Sequence, residues 1–231
     1  MIVFDLESYK DVEDTNYISW KSNNIQAPGN YKDPAKIAEN IAQQKAELAD
    51  KFALSPLTGK IILIGMLMDK LPPLYETDKT SYTTYSVGGT TMHYIGLSDN
   101  DESVLLSKWW DIFSFHNLNS PTIVSFNGKK FDLPFILHRS IIKKALVPRR
   151  IKMSDYLNKY RNDPHFDVYN WFDGGSLVEW SYRLGITDSL VRDGNKIGSW
   201  YEAGQMNVIA DKNKIDLAQT FSIYQRVRDW L

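Results

Sequence analysis

The stretch 1-MIVFDLES-8 decides how the rest of this chain is read. Ile2, Val3, Phe4 and Leu6 suit a central, buried strand, yet Asp5 and Glu7 interrupt them. Strand side chains alternate between faces, so both acids point the same way, roughly 6.6 Å apart along the strand. At that separation and an effective dielectric of ~20, two carboxylates repel by about 2.5 kcal/mol. Protonation, a basic partner for each, or a divalent cation would relieve the repulsion. Carboxylate oxygens with open water positions suit Mg²⁺ or Mn²⁺. An Asp-x-Glu triplet also arises by chance. Its place at the end of an apolar strand favours a ligand site, because ligands of open α/β sheets sit at strand ends.

Two distant acids join this pair. In 125-SFNGKKFDLPFILHR-139, Asp132 follows an apolar strand and a short turn and lies at a helix start, where Asp is also a common N-cap. Phe131, between Lys130 and Asp132, can offer a stacking face to a base. In 212-KNKIDLAQTF-221, Asp216 stands inside a helical stretch, an unfavourable place for Asp, with Lys212 one turn before it. The plain alternative for that pair is an exposed Lys–Asp contact on a helix.

Around these residues the chain alternates strands and helices. Apolar runs at 59–69, 91–97 and 121–126 read as further strands, and 166–172 as a short strand or helix. Helices are expected over 33–54 (Asp33 as cap, Pro34 at the first position), 98–113, 132–146, 176–185 closed by Gly185, and 206–231. Ile215, Phe221 and Tyr224 are core candidates of the last helix. Residues 8–33 read as a long loop and 71–91 as a loop or β-arm. The expected architecture is one α/β domain over 1–231 with a loop-helix inserted at about 8–55.

Of the 231 residues, 43% are hydrophobic, ample for a core, and no apolar run approaches the ~20 residues of a membrane span. With no cysteine, disulfides and thiolate metal sites are excluded, which suits a reducing cytosol, and the N-terminus lacks the basic and long apolar regions of a signal peptide. The net charge of −1 argues against a general polyanion binder, but it is unevenly spread. From Lys129 to Arg161 ten basic residues face two acids, a local +8. Such a stripe beside an acidic remainder fits phosphates held in one place and cations in another, or simply a solvated face.

In order and spacing, the segments FDLE (4–7), FNGKKFD (126–132) and the helical Asp216 resemble the three exonuclease motifs of the DEDD superfamily. The nearest group is the predicted 3′-5′ exonucleases similar to the proofreading domain of family-B DNA polymerases, stand-alone proteins of bacteria and phages. SPLTGKIILIG (55–65), HFDVYNWF (165–172) and DGNKIGSWYEAG (193–204) are also similar to that group, so the resemblance covers residues 1–7 and about 54–231. It implies an RNase H-like fold, with a central mixed sheet of about five strands flanked by helices. It also implies two Mg²⁺ or Mn²⁺ ions held by Asp5, Glu7, Asp132 and Asp216, and in-line hydrolysis of the last phosphodiester of a DNA strand. The substrate would be the single-stranded 3′ end of a nucleic acid, with Leu6, Ser8, Asn127, Lys130 and Phe131 around the terminal nucleotides. The basic stretch after Lys129 would track the backbone, and Tyr156 and Tyr160 would be stacking faces. A polymerase or replication protein is a conceivable partner; a membrane is not.

One position departs from the family pattern. Where the third motif has Tyr or His four residues before its Asp, this chain has Lys212. A charged ammonium has no lone pair and is no base unless its pKa is depressed. It can instead hold a phosphate oxygen and stabilise the transition state, or it can mark a protein that binds 3′ ends without cutting. The motifs do not report on the 2′-OH, so an exoribonuclease on the same fold is a further alternative, and an α/β interaction protein with a polar cleft another. His165 and Asp167 are expected as supporting or capping groups rather than metal ligands.

Overall fold

The computed structural model describes residues 1–11, 15–76, 82–119, 122–191 and 193–230. In chain order its elements are β1 (Ile2–Lys10), α1 (Thr15–Asn23), α2 (Pro34–Asp50), β2 (Gly59–Met68), α3 (Pro73–Glu76), β3 (Thr83–Val87), β4 (Thr90–Leu97), α4 (Glu102–Asn119), β5 (Ile123–Ser125), α5 (Asp132–Ile142), α6 (Met153–Tyr156), β6 (His165–Asp167), α7 (Leu177–Arg183), α8 (Ile197–Glu202) and α9 (Met206–Arg228). The strands form one sheet in the order β3-β4-β2-β1-β5-β6. β1, β5 and β6 run parallel, and β4 is antiparallel to β2 and β3. This six-stranded mixed sheet flanked by helices is the arrangement of an RNase H-like fold. The strand beyond the five expected is β3, from the segment read as a loop or β-arm, whose residues 77–81 lie outside the described residues. It joins β4 through Gly88 and Gly89, both at positive φ, as a tight hairpin requires.

The chain divides into two units, Met1–Glu7 with Ile61–Leu231, and Ser8–Lys60. In the smaller unit, residues 15–23 form helix α1 where a loop was expected. Tyr17, Ile18 and Trp20 do not make a 3.6-residue stripe, so periodicity missed it; Trp20 stays exposed and stacks on Tyr17. Asp33 does cap α2, accepting the Ala35 N–H at 2.9 Å. Ser8 donates to the Ala53 carbonyl, and Thr58 to that of Phe52.

In the larger unit the alternation of β1 sorts its side chains to two cores. Ile2, Phe4 and Leu6 pack with α4, α5 and Tyr156 of α6. Val3 faces the opposite core, built on Leu217, Phe221, Ile223 and Tyr224 of α9. Asp5 and Glu7 share the face of Val3, so the strand turns from apolar to acidic along the α9 side. Of the core candidates on α9, Phe221 and Tyr224 are buried, but Ile215 is 58% exposed because it lies on the outer side of the helix. Beneath the other face, Glu102 accepts from Arg139 at 2.9 Å and from the Ile61 N–H at 2.8 Å, tying α4, α5 and the start of β2 together.

A glycine lets α9 settle on the sheet. A Cβ at Gly65, in the middle of β2, would lie 1.5 Å from Asn213 Oδ1 and 3.0 Å from Leu217. Asn213 is fully buried, so it has little room to retreat. Gly65→Ala is expected to destabilise the protein by about 1–3 kcal/mol through overpacking, and by clearly less when combined with Asn213→Ala. A double-mutant cycle by denaturant unfolding measures this; strictly additive losses would contradict the contact.

Candidate functional site

Three elements deliver the four acidic residues singled out in the sequence. Asp5 and Glu7 leave the α9 side of β1, Asp132 is the first residue of α5, and Asp216 lies mid-α9. Asp5, Glu7 and Asp216 each present a carboxylate oxygen, all within 4.8 Å of one another, close enough to share one cation. Asp132 stands outside that trio but beside it. Its Oδ1 accepts the Leu6 N–H at 3.2 Å, and its charge acts on Asp5. Glu7 and Asp132 are buried, at 5% and 3% exposure.

Burying so many acids shifts their protonation. Burial, then the charges of Asp132 and Glu7, holds the Asp5 carboxyl well above the usual carboxylate range. Burial raises Glu7 as well, against the pull of Lys212. Burial pushes Asp132 up to about 7, although the N–H groups of Leu6 and of Asp132 itself favour its charged form.

The partners are basic and amide groups from α9. Lys212 Nζ lies 2.8 Å from Glu7 Oε1 and 2.7 Å from Asp216 Oδ2, and so bridges two of the three clustered carboxylates. Burial alone would lower the Lys212 pKa, but Glu7, Asp5 and Asp216 outweigh it and raise it above its ordinary value. The depressed pKa that a basic role would need is thus the opposite of what its surroundings impose. Asn213 donates to Asp5 Oδ2 at 3.0 Å. Sequence reasoning missed Asn213; its one signal was a polar residue within the buried period of α9, and it meets Gly65 of β2 only in the fold.

Asp132 owes its place to a turn built by groups outside the acidic trio. Asn127 sits at φ +65°, in the left-handed region that Asn tolerates. Asp167 accepts the N–H groups of Asn127 (2.7 Å), Lys129 (2.9 Å) and Tyr169 (3.2 Å), so it caps and shapes backbone. Gly128 N–H donates to Ser125 Oγ, which lies 2.7 Å from His165 Nε2; His165 Nδ1 lies 2.9 Å from the Tyr156 carbonyl. Burial, then the charge of Lys129, lowers His165 to about 3 and keeps the ring neutral. A Cβ at Gly128 would come 2.4 Å from Ser125 Oγ, so only glycine fits that corner.

The other residues singled out divide. Asn127 and Phe131 are half-buried, with Phe131 tilted against Phe135 at 5.6 Å, and Lys130 is exposed. The Leu6 side chain lies in the core, so that residue meets this region only through its backbone. Ser8 belongs to the smaller unit. Tyr156 is 3% exposed and is no stacking face, since α6 packs it on Phe113; Tyr160 is 85% exposed. The basic stripe also loses members. Lys129 is buried with its ammonium on the Asn158 and Arg161 carbonyls, and Arg139 is buried on Glu102. Lys130, Lys144, Arg149, Arg150 and Lys159 remain exposed, as do Lys152 and Arg161, which lie beside Asp155.

Comparison with known proteins gives two likenesses. A family described as "predicted 3′-5′ exonuclease related to the exonuclease domain of PolB" matches residues 79–230, about two thirds of the chain. DNA polymerase 1 of Sulfurisphaera ohwakuensis is 31% identical over 85 residues, which cover 36% of this chain and 9% of that polymerase. Among the described residues, no helix is long and apolar enough to cross a membrane.

The raised carboxyls have a measurable consequence. Asp132 binds its proton more tightly folded than unfolded, so the folded chain holds the extra proton between about pH 4 and about pH 7. Its contribution to stability is therefore present below that window and lost as pH rises through it. In chelator, the melting temperature of the wild type relative to Asp132→Asn is expected to fall by about 5 °C across this window. A constant offset between the two pH profiles would contradict the shift.

Proposed function

The chain belongs to the family of predicted 3′-5′ exonucleases related to the exonuclease domain of PolB, and from that premise we propose that it is a metal-dependent exonuclease that removes nucleoside monophosphates from DNA 3′ ends. In this reading residues 1–231 form one nuclease domain carrying the loop-helix at about 8–55 as an insertion, working in the cytosol on single-stranded ends. A polymerase or other replication partner is compatible with it.

The observation that carries the proposal is the convergence of Asp5, Glu7 and Asp216 to within 4.8 Å, with Asp132 beside them. The donor set fits Mg²⁺ or Mn²⁺: hard carboxylate oxygens whose charged forms burial leaves poorly solvated, so a cation among them would be favoured. These four residues would hold two such ions. When bound, the ions supply Lewis acidity at the scissile phosphate and a water of lowered pKa.

This chain's own side chains do the rest. Lys212 stays an ammonium, so it takes no proton from the attacking water and places positive charge on a phosphate oxygen instead. Asp5, Glu7, Asp132 and Asp216 carry −4 when ionised; two divalent ions cancel that, and Lys212 matches the charge of one phosphodiester. Asn127, Lys130 and Phe131, on the turn that delivers Asp132, position the terminal nucleotides. The exposed Lys130, Lys144, Arg149, Arg150 and Lys159 track the phosphates, with Tyr160 as an aromatic face beside Lys159.

One observation favours a second reading. Lys212 bridges Glu7 and Asp216 and draws on the charge a metal would use, as in a protein that binds 3′ ends and cuts them weakly or not at all. Incubation of 5′-labelled DNA and RNA oligonucleotides with Mg²⁺ or Mn²⁺ separates the readings. The proposal expects a ladder of shortened DNA that requires the metal and falls about a hundredfold or more in Asp5→Ala. Tight binding without a ladder establishes the end-binder, and a ladder on RNA alone an exoribonuclease; either overturns the proposal.

A further inference from the structure

We propose that Lys212 is a tethered cation of the metal-free centre, holding Glu7 and Asp216 together until a divalent ion competes for them. The inference rests on the metal-centre reading and names how that centre is controlled.

The geometry is that of a cation already in place. The ammonium lies 2.8 Å from Glu7 and 2.7 Å from Asp216, within the range of charge-assisted hydrogen bonds. Both acceptors belong to the trio whose oxygens converge to within 4.8 Å. The three side chains are shielded, with 22%, 6% and 19% of their surface exposed, so water screens the contacts weakly. Lys212 and Asp216 are four residues apart on α9 and so share a helix face, while Glu7 comes from β1. The lysine thus clasps α9 to β1 at the acidic end of the strand, as Leu217 and Val3 do at the apolar end. Lys214 offers a contrast: it pairs with the exposed Asp211 and lies over the Tyr94 ring.

Two consequences follow from charge. Without metal, removing the ammonium leaves the buried Glu7 and the partly buried Asp216 facing each other without their counter-charge, so the fold weakens. With metal, the same removal takes away a positive charge a few ångströms from the incoming ion, so binding tightens. A plain structural salt bridge predicts only the first. A lysine acting solely on substrate phosphate predicts neither.

The test measures binding and melting rather than turnover. Mn²⁺ affinity is read by calorimetry, and melting by circular dichroism in chelator and in saturating Mn²⁺. Wild type, Lys212→Met, Lys212→Gln, Lys214→Met and Asp5→Asn are compared. The proposal expects both Lys212 variants to bind Mn²⁺ about tenfold more tightly than wild type, to melt lower in chelator, and to gain more from Mn²⁺. Lys214→Met should bind as wild type does. If Lys212→Met fails to fold in chelator, Lys212→Gln, which keeps a polar head, carries the comparison. Wild-type binding that Asp5→Asn weakens, with Lys212 variants no tighter than wild type, overturns the tethered cation and leaves the metal centre standing. Folded wild type and Lys212 variants that all fail to bind Mn²⁺ overturn the metal centre and this inference together.

Discussion

Four carboxylates brought close to one another in a poorly hydrated place must be compensated, and that requirement shapes this protein's functional region. The compensation comes from several directions. Lys212 pairs with Glu7 and Asp216, the Asn213 amide meets Asp5, and the Leu6 N–H meets Asp132. It is incomplete, since Asp5, Glu7 and Asp132 all keep raised pKa values. A fold that retains uncompensated buried charge of one sign gives up stability, and an external cation is the economical way to recover it.

The architecture serves that convergence. β1 is the hinge of the layout because its two faces differ: one is apolar from Ile2 to Leu6, and the other passes from Val3 to Asp5 and Glu7. α9 reaches the second face because Gly65 leaves space for Asn213 and Leu217. Asp132 arrives from β5 by a turn whose shape is set by Asp167, Ser125 and His165. A small set of hydrogen bonds around neutral His165 therefore governs where an acid sits, although none of those groups joins the acidic trio. Asp167 and His165 are best understood as positioning residues.

Much of this was readable because strands and helices impose strict periods. The two-residue period of β1 put Asp5 and Glu7 on one side, and an Asp inside an apolar-flanked helix marked Asp216. What could not be read was distance in space. Gly65 and Asn213 are 148 residues apart in the chain, and neither means anything until α9 lies on β2. Tyr156 and Lys129 looked like surface groups by residue type and local charge, yet packing on Phe113 and a pair of loop carbonyls bury them. Ile215 looked like core and is exposed, because it lies on the outer side of α9, whereas Leu217 on the other side of Asp216 is buried. Helix α1 was missed because its sequence carries weak periodicity, and the Thr- and Tyr-rich segment that holds β3 could be read only as a loop or β-arm.

The central claim is that these acids gather to bind divalent cations, and anomalous scattering from a crystal soaked in Mn²⁺ tests it most directly. The account predicts density between Asp5, Glu7 and Asp216, with a second peak on the Asp132 side of Asp5. Fully soaked crystals with no anomalous peak among these carboxylates, and Lys212 still bridging Glu7 and Asp216, would contradict it.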